Sequence, residues 1–189
     1  MQRLIEYSTV PMGFKVNSRL IPVLTDNGLS GISFREETVL EPYFLDYDAL
    51  DGETPVRWLN RFNTDNWALF IARENGAVCG GATLVWHTPE VHMLFGRDDL
   101  AVLWDIRIRP EFRRQGIGTR LFSEAAKWAK AKECAQLGIE TQNINVPACR
   151  FYASQGCKLG VISRYQYINN PQTADHVMLI WYLDLKAKH

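Results

Sequence analysis

Hydrophobic positions repeat with clear periods in the second half of the chain, and these periods predict its helices. Apolar residues three and four apart over residues 117–132 predict an amphipathic helix whose charged side chains share the opposite face. A shorter helix is predicted over residues 146–154, with Pro147 in its first turn and Gly156 beyond its end.

Short apolar runs bounded by turn residues predict a series of strands. Residues 67–73 and 77–86 flank Asn75-Gly76, a dipeptide typical of two-residue hairpin turns. Further strands are predicted over residues 4–7, 100–108, 136–141, 158–167 and 176–184. Residues 11–55 have no clear period, and no element is assigned to them. Strands mixed with two helices predict an α/β or α+β protein built on a sheet.

Length and composition fit one globular domain. The chain has 189 residues, 47% of them hydrophobic, enough for a core of its own. Lys and Arg exactly balance Asp and Glu, which argues against a generally basic nucleic-acid-binding protein. No apolar run approaches the ~18–20 residues of a membrane span, and the start does not resemble a signal peptide. We expect a soluble, cytoplasmic protein with neither nucleic-acid nor membrane partners.

The four cysteines, Cys79, Cys134, Cys149 and Cys157, favour neither a metal site nor a redox centre. They form no CxxC pair, and no histidine cluster has zinc-finger spacing. We expect reduced, mostly buried thiols and no bound metal.

The neutral total charge conceals two regions of opposite sign. Residues 36–53 hold seven acids and no Lys or Arg: Glu36, Glu37, Glu41, Asp46, Asp48, Asp51 and Glu53. Residues 109–132 hold seven bases. An ordinary solvated surface explains either region, but an acidic segment also attracts cationic ligands.

A glycine-rich turn lies between the strand ending at Ile108 and the long helix. It reads Arg113, Arg114, Gln115, Gly116, Ile117, Gly118 and Thr119. Glycines let the backbone approach a ligand closely, and the first amides of a helix favour an anion. The turn therefore predicts a phosphate-bearing ligand.

Two common phosphate-binding motifs do not fit this turn. A P-loop requires GxxxxGK[ST], which is absent from the sequence. A dinucleotide fingerprint requires a third glycine where Leu121 stands, and it follows its strand directly, whereas seven residues intervene here.

Two motifs in the correct order resemble the GNAT superfamily of N-acetyltransferases. Arg113-x-x-Gly116-x-Gly118 resembles the first family signature, and Asn145-x-x-Ala148-x-x-Phe151-Tyr152-x-x-x-Gly156 resembles the second. Cys157 departs from the family, which usually has Phe there, and this affects packing rather than chemistry.

This resemblance covers roughly residues 68–185 and implies a fold and a cofactor. The fold would be that of acyl-CoA N-acyltransferases, with a central mixed, mostly antiparallel sheet flanked by helices. The chain would form a single domain, with residues 1–66 on the acceptor side and 67–185 as the acetyl-CoA-binding core. By resemblance, acetyl-CoA would contact the backbone of Ile106, Arg107 and Ile108, the turn from Arg113 to Thr119, Asn145 and Tyr152.

Acetyl transfer to an amine also requires proton transfers. Asp105 and Glu140 are the carboxylates predicted to accept the amine proton, and Asp105 is preferred for binding the amine or relaying its proton. The alternatives are an ion pair of Asp105 with Arg107 or another cation, and an ion pair or cap at Glu140. Tyr152 stands where the family's tyrosine protonates the departing thiolate, and a packing tyrosine is its alternative.

Within the superfamily, the sequence is similar to streptothricin acetyltransferases. The similarity rests on Asp105-Ile106, on Ile139-Glu140-Thr141-x-Asn143-x-Asn145-x-Pro147-Ala148, and on Tyr167. It implies acetylation of a primary amine of a small cationic substrate, as in resistance to such antibiotics. The residues predicted to bind the substrate are Glu41, Tyr43, Trp86, Trp104, Asp105 and Tyr167.

Other functions stay open from the sequence. The acceptor could instead be a protein or peptide amine or a polyamine, or the domain could sense acyl-CoA without turnover. A homodimer through the last strand and residues 165–168 is a further hypothesis.

Overall fold

A computed structural model describes residues 2–49 and 54–186 of the chain. Two compact units emerge from it. The first comprises Met1–Gly13, Asp46–Ile139 and Tyr182–His189, and the second comprises Phe14–Leu45 and Glu140–Trp181.

Four helices and eight strands form the regular structure of the described residues. The helices are α1 (Gln2–Ser8), α2 (Pro55–Arg61), α3 (Ile117–Ala131) and α4 (Val146–Ser154). The strands are β1 (Gly13–Thr25), β2 (Gly31–Asp46), β3 (Ala68–Glu74), β4 (Ala77–Val85), β5 (Leu100–Ile108), β6 (Gln136–Gln142), β7 (Lys158–Ser163) and β8 (Met178–Asp184).

Six strands form one mostly antiparallel sheet in the order β3-β4-β5-β6-β8-β7, which confirms the predicted fold class. Strand β4 pairs antiparallel with β3 and β5, whereas β5 and β6 run parallel from Leu100↔Gln136 to Leu103↔Ile139. The β3–β4 turn has positive φ at Asn75 and Gly76, as a two-residue hairpin requires.

The first unit has an aliphatic core with aromatic rings packed against it. Its fully or nearly buried members are Val85, Val91, Met93, Leu94, Leu100 and Val102. Helix α3 buries the face that its period predicts, through Leu121, Phe122, Ala125 and Ala129. That amphipathic face is the reason the helix was predictable.

The second unit packs around α4. Cys149, Val177 and Leu179 form its buried cluster, with Leu20, Phe34, Leu159, Ile162 and Trp181 against them. Asn143 is buried there, and its side chain donates to the Leu20 carbonyl and accepts from the Val177 amide. Strands β1 and β2 form a separate two-stranded sheet.

The N-terminal segments differ most from the predicted elements. The predicted strand over residues 4–7 is wrong, because these residues belong to α1. Tyr7 is fully buried and Leu4, three residues earlier, is partly buried, and this is helical rather than alternating spacing. The last part of the predicted strand over residues 158–167 is also wrong, because β7 ends at Ser163 and Tyr167 lies in a turned segment.

Two further observations concern the cysteines and the helices of the described residues. All four cysteines are buried and free. None of the helices within residues 2–49 and 54–186 has the length and apolar character that a bilayer span requires.

His176, in the second unit, is expected to make stability depend on pH. It is nearly fully buried, and its Nδ1 has no hydrogen-bond partner among the described residues. Burial lowers the pKa of His176, although Asp175 acts in the opposite direction. The unfolded chain therefore binds the proton more readily. The contribution of neutral His176 to the free energy of unfolding is fully present above the ordinary pKa of about 6.5. Below that pH it is lost by up to about 1.4 kcal/mol per pH unit.

Denaturation at pH 7.5 and pH 5.5 measures this effect. The loss should be smaller in His176→Gln, and an identical loss in both proteins would contradict it.

Candidate active site

One edge of β5 is available for an extended ligand. Strand β5 pairs with β4 up to Gly80↔Ile108, but in the described part of the chain its ladder with β6 ends at Leu103↔Ile139. Ile106 and Ile108 are partly exposed along the remaining stretch. Their backbone groups can pair with an extended ligand as a further strand would.

The glycine-rich turn leads from this strand into α3. A short 3-10 turn at Pro110–Phe112 follows β5, and Arg114 and Gly116 have positive φ. Gly116 is the N-cap residue, and no side-chain hydrogen bond caps the helix. The first amides of α3 can therefore bind an anion.

Two side chains of the turn brace it. The Arg113 guanidinium donates to the carbonyls of Ile108 (3.1 Å) and Gly13 (3.2 Å). The Gln115 amide donates to the Glu111 carbonyl at 3.0 Å. The sequence predicts that both residues contact the cofactor. In the structure their side chains also stabilise the conformation of the turn.

Asp105 lies in a buried hydrogen-bond network of the first unit. Its Oδ1 accepts from the Tyr7 hydroxyl at 2.6 Å, and both its oxygens accept from Arg107 Nε at 3.0 and 3.1 Å. The structure thus shows the ion pair with Arg107 that was the alternative to a catalytic role for Asp105. Because the Arg107 side chain is only 1% exposed, its predicted contact with the cofactor is available to its backbone alone.

Ionisation in this network follows burial and charge. Burial and then the charge of Asp105 raise the pKa of Tyr7, which keeps its hydroxyl a donor. Burial alone would lower the pKa of Arg107, but its hydrogen bonds to Asp105 outweigh this and raise it. Arg107 therefore stays charged beside Asp105, and no motif in the sequence indicates that Tyr7 joins this network.

Glu140 and Tyr167 meet in the second unit. The Tyr167 hydroxyl donates a short hydrogen bond to Glu140 Oε1 and accepts one from the Gln142 amide at 3.0 Å. Glu140 is partly exposed. The structure thus brings together a predicted catalytic carboxylate and a predicted substrate-binding tyrosine, with Gln142 as a partner that the sequence analysis missed.

Asn145 lies at the start of α4, and Tyr152 lies within the helix. Asn145 is the N-cap residue, and its Oδ1 accepts from the Ala148 amide at 3.2 Å. This bond gives a structural reason for Asn-x-x-Ala in the motif. Tyr152 is 5% exposed, and its ring packs edge-on against Phe151 at 5.3 Å.

The other predicted substrate residues have separate surroundings. Glu41 and Tyr43 are exposed on β2 of the second unit. In the first unit, Trp104 packs against Trp58, Phe62 and Trp67, with centroids 5.4 to 6.4 Å from its own.

Trp86 has different neighbours in the first unit. Its indole donates to the Asp98 carbonyl at 3.0 Å, its ring stacks on His87, and Lys132 Nζ lies 5.0 Å from it. No hydrogen bond or ring contact joins it to Trp104 or Asp105 in the described part of the first unit.

The uncapped helix start and the β5 edge suit an acyl-CoA donor, and the sequence profile of the acetyltransferase (GNAT) family matches residues 33–157. The chain therefore belongs to the GNAT family and is an acetyltransferase.

Two relatives of this chain are streptothricin acetyltransferases. Streptothricin acetyltransferase A of Bacillus subtilis (strain 168) is 28% identical over 169 residues, or 89% of this chain and 87% of that protein. A streptothricin acetyltransferase of Escherichia coli is 35% identical over 85 residues, or 45% of this chain and 49% of that protein.

Solved structures agree with these relatives. A Bacillus anthracis str. Ames protein, provisionally assigned as a streptothricin acetyltransferase and solved with acetyl coenzyme A, has a TM-score of 0.76 and 27% identity. The alignment covers 97% of this chain and 95% of that one. Nourseothricin acetyltransferase also has a TM-score of 0.76, over 98% of this chain and 94% of its own, and at 18% identity it supports the fold alone.

Proposed function

We propose that this chain acetylates a primary amine of a small cationic substrate of the streptothricin type, and so confers resistance by acetylation. The similarity to streptothricin acetyltransferase A across 89% of the chain carries this proposal. Acetyl-CoA is the acetyl donor.

The first unit fits this donor. An uncapped helix start at Gly116 suits a pyrophosphate, and the edge of β5 suits a pantetheine arm. When bound, acetyl-CoA supplies an activated acetyl thioester. The amides from Arg114 to Thr119 and the backbone of Ile106 and Ile108 would hold it, with Asn145 assigned by resemblance.

Glu41 is the acid of the acidic segment that best supports a cationic acceptor. In the described residues most of its acids are neutralised, since Glu36 pairs with Arg150, Glu37 with Arg35 and Asp48 with Arg107. Asp51 and Glu53 lie outside the described residues. Glu41 is exposed and has no ion-pair partner among the described residues, so its charge supports the predicted role in attracting an ammonium group.

Glu140 is the better supported of the two proposed bases. A lysine-like amine is neutral in only about one molecule in a thousand at pH 7, so a base that removes its proton contributes ~100–10,000-fold. Asp105 already accepts hydrogen bonds from Tyr7 and Arg107, whereas Glu140 is partly exposed and oriented by Tyr167. The proposed acid is the Tyr152 hydroxyl, which would give its proton to the departing thiolate.

Thiol release from acetyl-CoA, measured with streptothricin, spermidine, free lysine and lysine peptides, tests the proposal. We expect rapid turnover of streptothricin alone. Tyr152→Phe removes only a hydroxyl and should lower kcat by about 100-fold or more. Tyr165→Phe is the matched control, because Tyr165 is 69% exposed, and it should retain wild-type kcat.

Other outcomes would contradict the proposal in identifiable ways. Preferred turnover of spermidine or lysine peptides would indicate a polyamine or peptide acetyltransferase. Tight acetyl-CoA binding without turnover of any amine would indicate a sensing domain. Wild-type kcat in Tyr152→Phe would make Tyr152 a packing residue.

A further inference from the structure

The Arg107 guanidinium joins three separate segments of the first unit. Nε and Nη2 bind Asp105 on its own strand. Nη1 donates to the Val10 carbonyl at 3.1 Å and to Asp48 Oδ1 and Oδ2 at 3.0 and 2.9 Å. Asp48 lies in the 3-10 turn Tyr47–Ala49, within the acidic segment assigned to the acceptor side.

Two carboxylates, Asp48 and Asp105, face the single Arg107 guanidinium. Burial raises the pKa of Asp48, Asp105 and Asp46 raise it further, and Arg107 opposes them. We therefore expect the folded structure to accept an uncharged side chain at this position, provided that its oxygen still accepts from Nη1.

We propose that Asp48 is a positioning residue, whose hydrogen bonds to Arg107 hold the turn Tyr47–Ala49 against β5 and thereby set the acceptor side of the active site. This role rests on the proposed function, because β5 is the strand assigned to the acetyl donor. Asp48 acts through Arg107 and does not itself take part in the chemistry.

Two substitutions separate positioning from electrostatic attraction of a cationic substrate. Asp48→Ala removes both hydrogen bonds and the charge, whereas Asp48→Asn loses the charge and one of the two acceptor oxygens but keeps the other for Nη1. Asp99→Asn is the matched control, because it removes the carboxylate charge from a half-exposed Asp–Arg pair of the same unit, with Arg97 at 2.9 Å.

Hydrogen exchange of the ligand-free protein gives the first readout. We expect amides of residues 46–49 to exchange about tenfold faster in Asp48→Ala, and at near wild-type rates in Asp48→Asn and Asp99→Asn. Because no substrate is present, this result does not depend on the proposed function. Should Asp48→Ala fail to fold, Asp48→Ser, whose shorter side chain cannot bridge to Nη1, replaces it.

Steady-state kinetics with streptothricin give the second readout. Asp48→Ala should raise the KM for the amine about tenfold, while kcat and the Kd for acetyl-CoA change less than twofold, and Asp48→Asn should restore the KM. Equal loss in Asp48→Asn and Asp48→Ala would show that charge matters, and would overturn the proposal. Unchanged exchange in Asp48→Ala would also overturn it. Faster exchange without turnover of streptothricin would refute the acceptor assignment and leave the anchoring of the turn supported.

Discussion

Gly81→Ala is expected to lower the free energy of unfolding by more than about 3 kcal/mol, as severe overpacking does. A Cβ at Gly81 would lie 2.6 Å from the Phe70 carbonyl oxygen and 2.6 Å from Cε2 of Tyr7. Neither neighbour can move easily. Phe70 belongs to the β3–β4 ladder, and the hydrogen bond to Asp105 holds the Tyr7 ring in place. Urea denaturation of the purified variant measures the loss.

Gly138→Ala provides the matched control in the same sheet. A Cβ there would meet Tyr182 Cε1 at 3.5 Å and Leu100 Cδ1 at 3.6 Å, which are ordinary contacts. We expect this variant to lie within about 1 kcal/mol of the wild type, or slightly above it, because alanine reduces the entropy of the unfolded chain. Equal stability of the two variants would mean that Tyr7 is not fixed beneath β4.

The elements after residue 66 were largely predictable because their signals are local. The α3 helix combines a regular apolar period with a glycine at its start, and α4 combines an Asn cap with Pro147. The β3–β4 turn contains Asn75-Gly76, and both residues have positive φ, a conformation that few residue types other than Asn and Gly adopt readily. Each signal lies within a few residues of the element it specifies.

The N-terminal elements could not be predicted in the same way. Strands β1 and β2 expose most of their residues, so burial leaves no clear alternation along them. The short α1 helix has Tyr7 as its only buried residue, so four residues of sequence fit a strand equally well. Tertiary contacts determine the secondary structure of these segments, and such contacts cannot be inferred from a local sequence pattern.

The candidate site residues also differ in whether their signals are local. Motifs at fixed spacing predict Gly116, Gly118 and Asn145 as cofactor-side residues from the sequence alone. No motif distinguishes Asp105 from Glu140, because the partners that differ between them come from distant positions. Tyr7 is 98 residues from Asp105, and Tyr167 is 27 residues from Glu140.

Arg107 is the centre of the buried network, and Arg107→Met is expected to lower the free energy of unfolding by about 3–5 kcal/mol. Methionine fills a similar volume but donates no hydrogen bond. Asp105, 7% exposed, would keep only Tyr7 as a partner, and the Val10 carbonyl would lose its donor. An unpaired buried carboxylate is the largest part of the expected loss, which urea denaturation at pH 7.5 measures.

A double variant distinguishes this cause from a simple loss of packing. In Asp105→Asn/Arg107→Met the unpaired charge is gone, so we expect at least about 1 kcal/mol of the lost stability to return. Asp99→Asn, which removes the charge from a half-exposed ion pair, should change stability by less than about 1 kcal/mol. If the double variant were less stable than Arg107→Met, the buried charge would not be the reason for the loss. Asp105 would then stabilise the fold through Tyr7 rather than through Arg107.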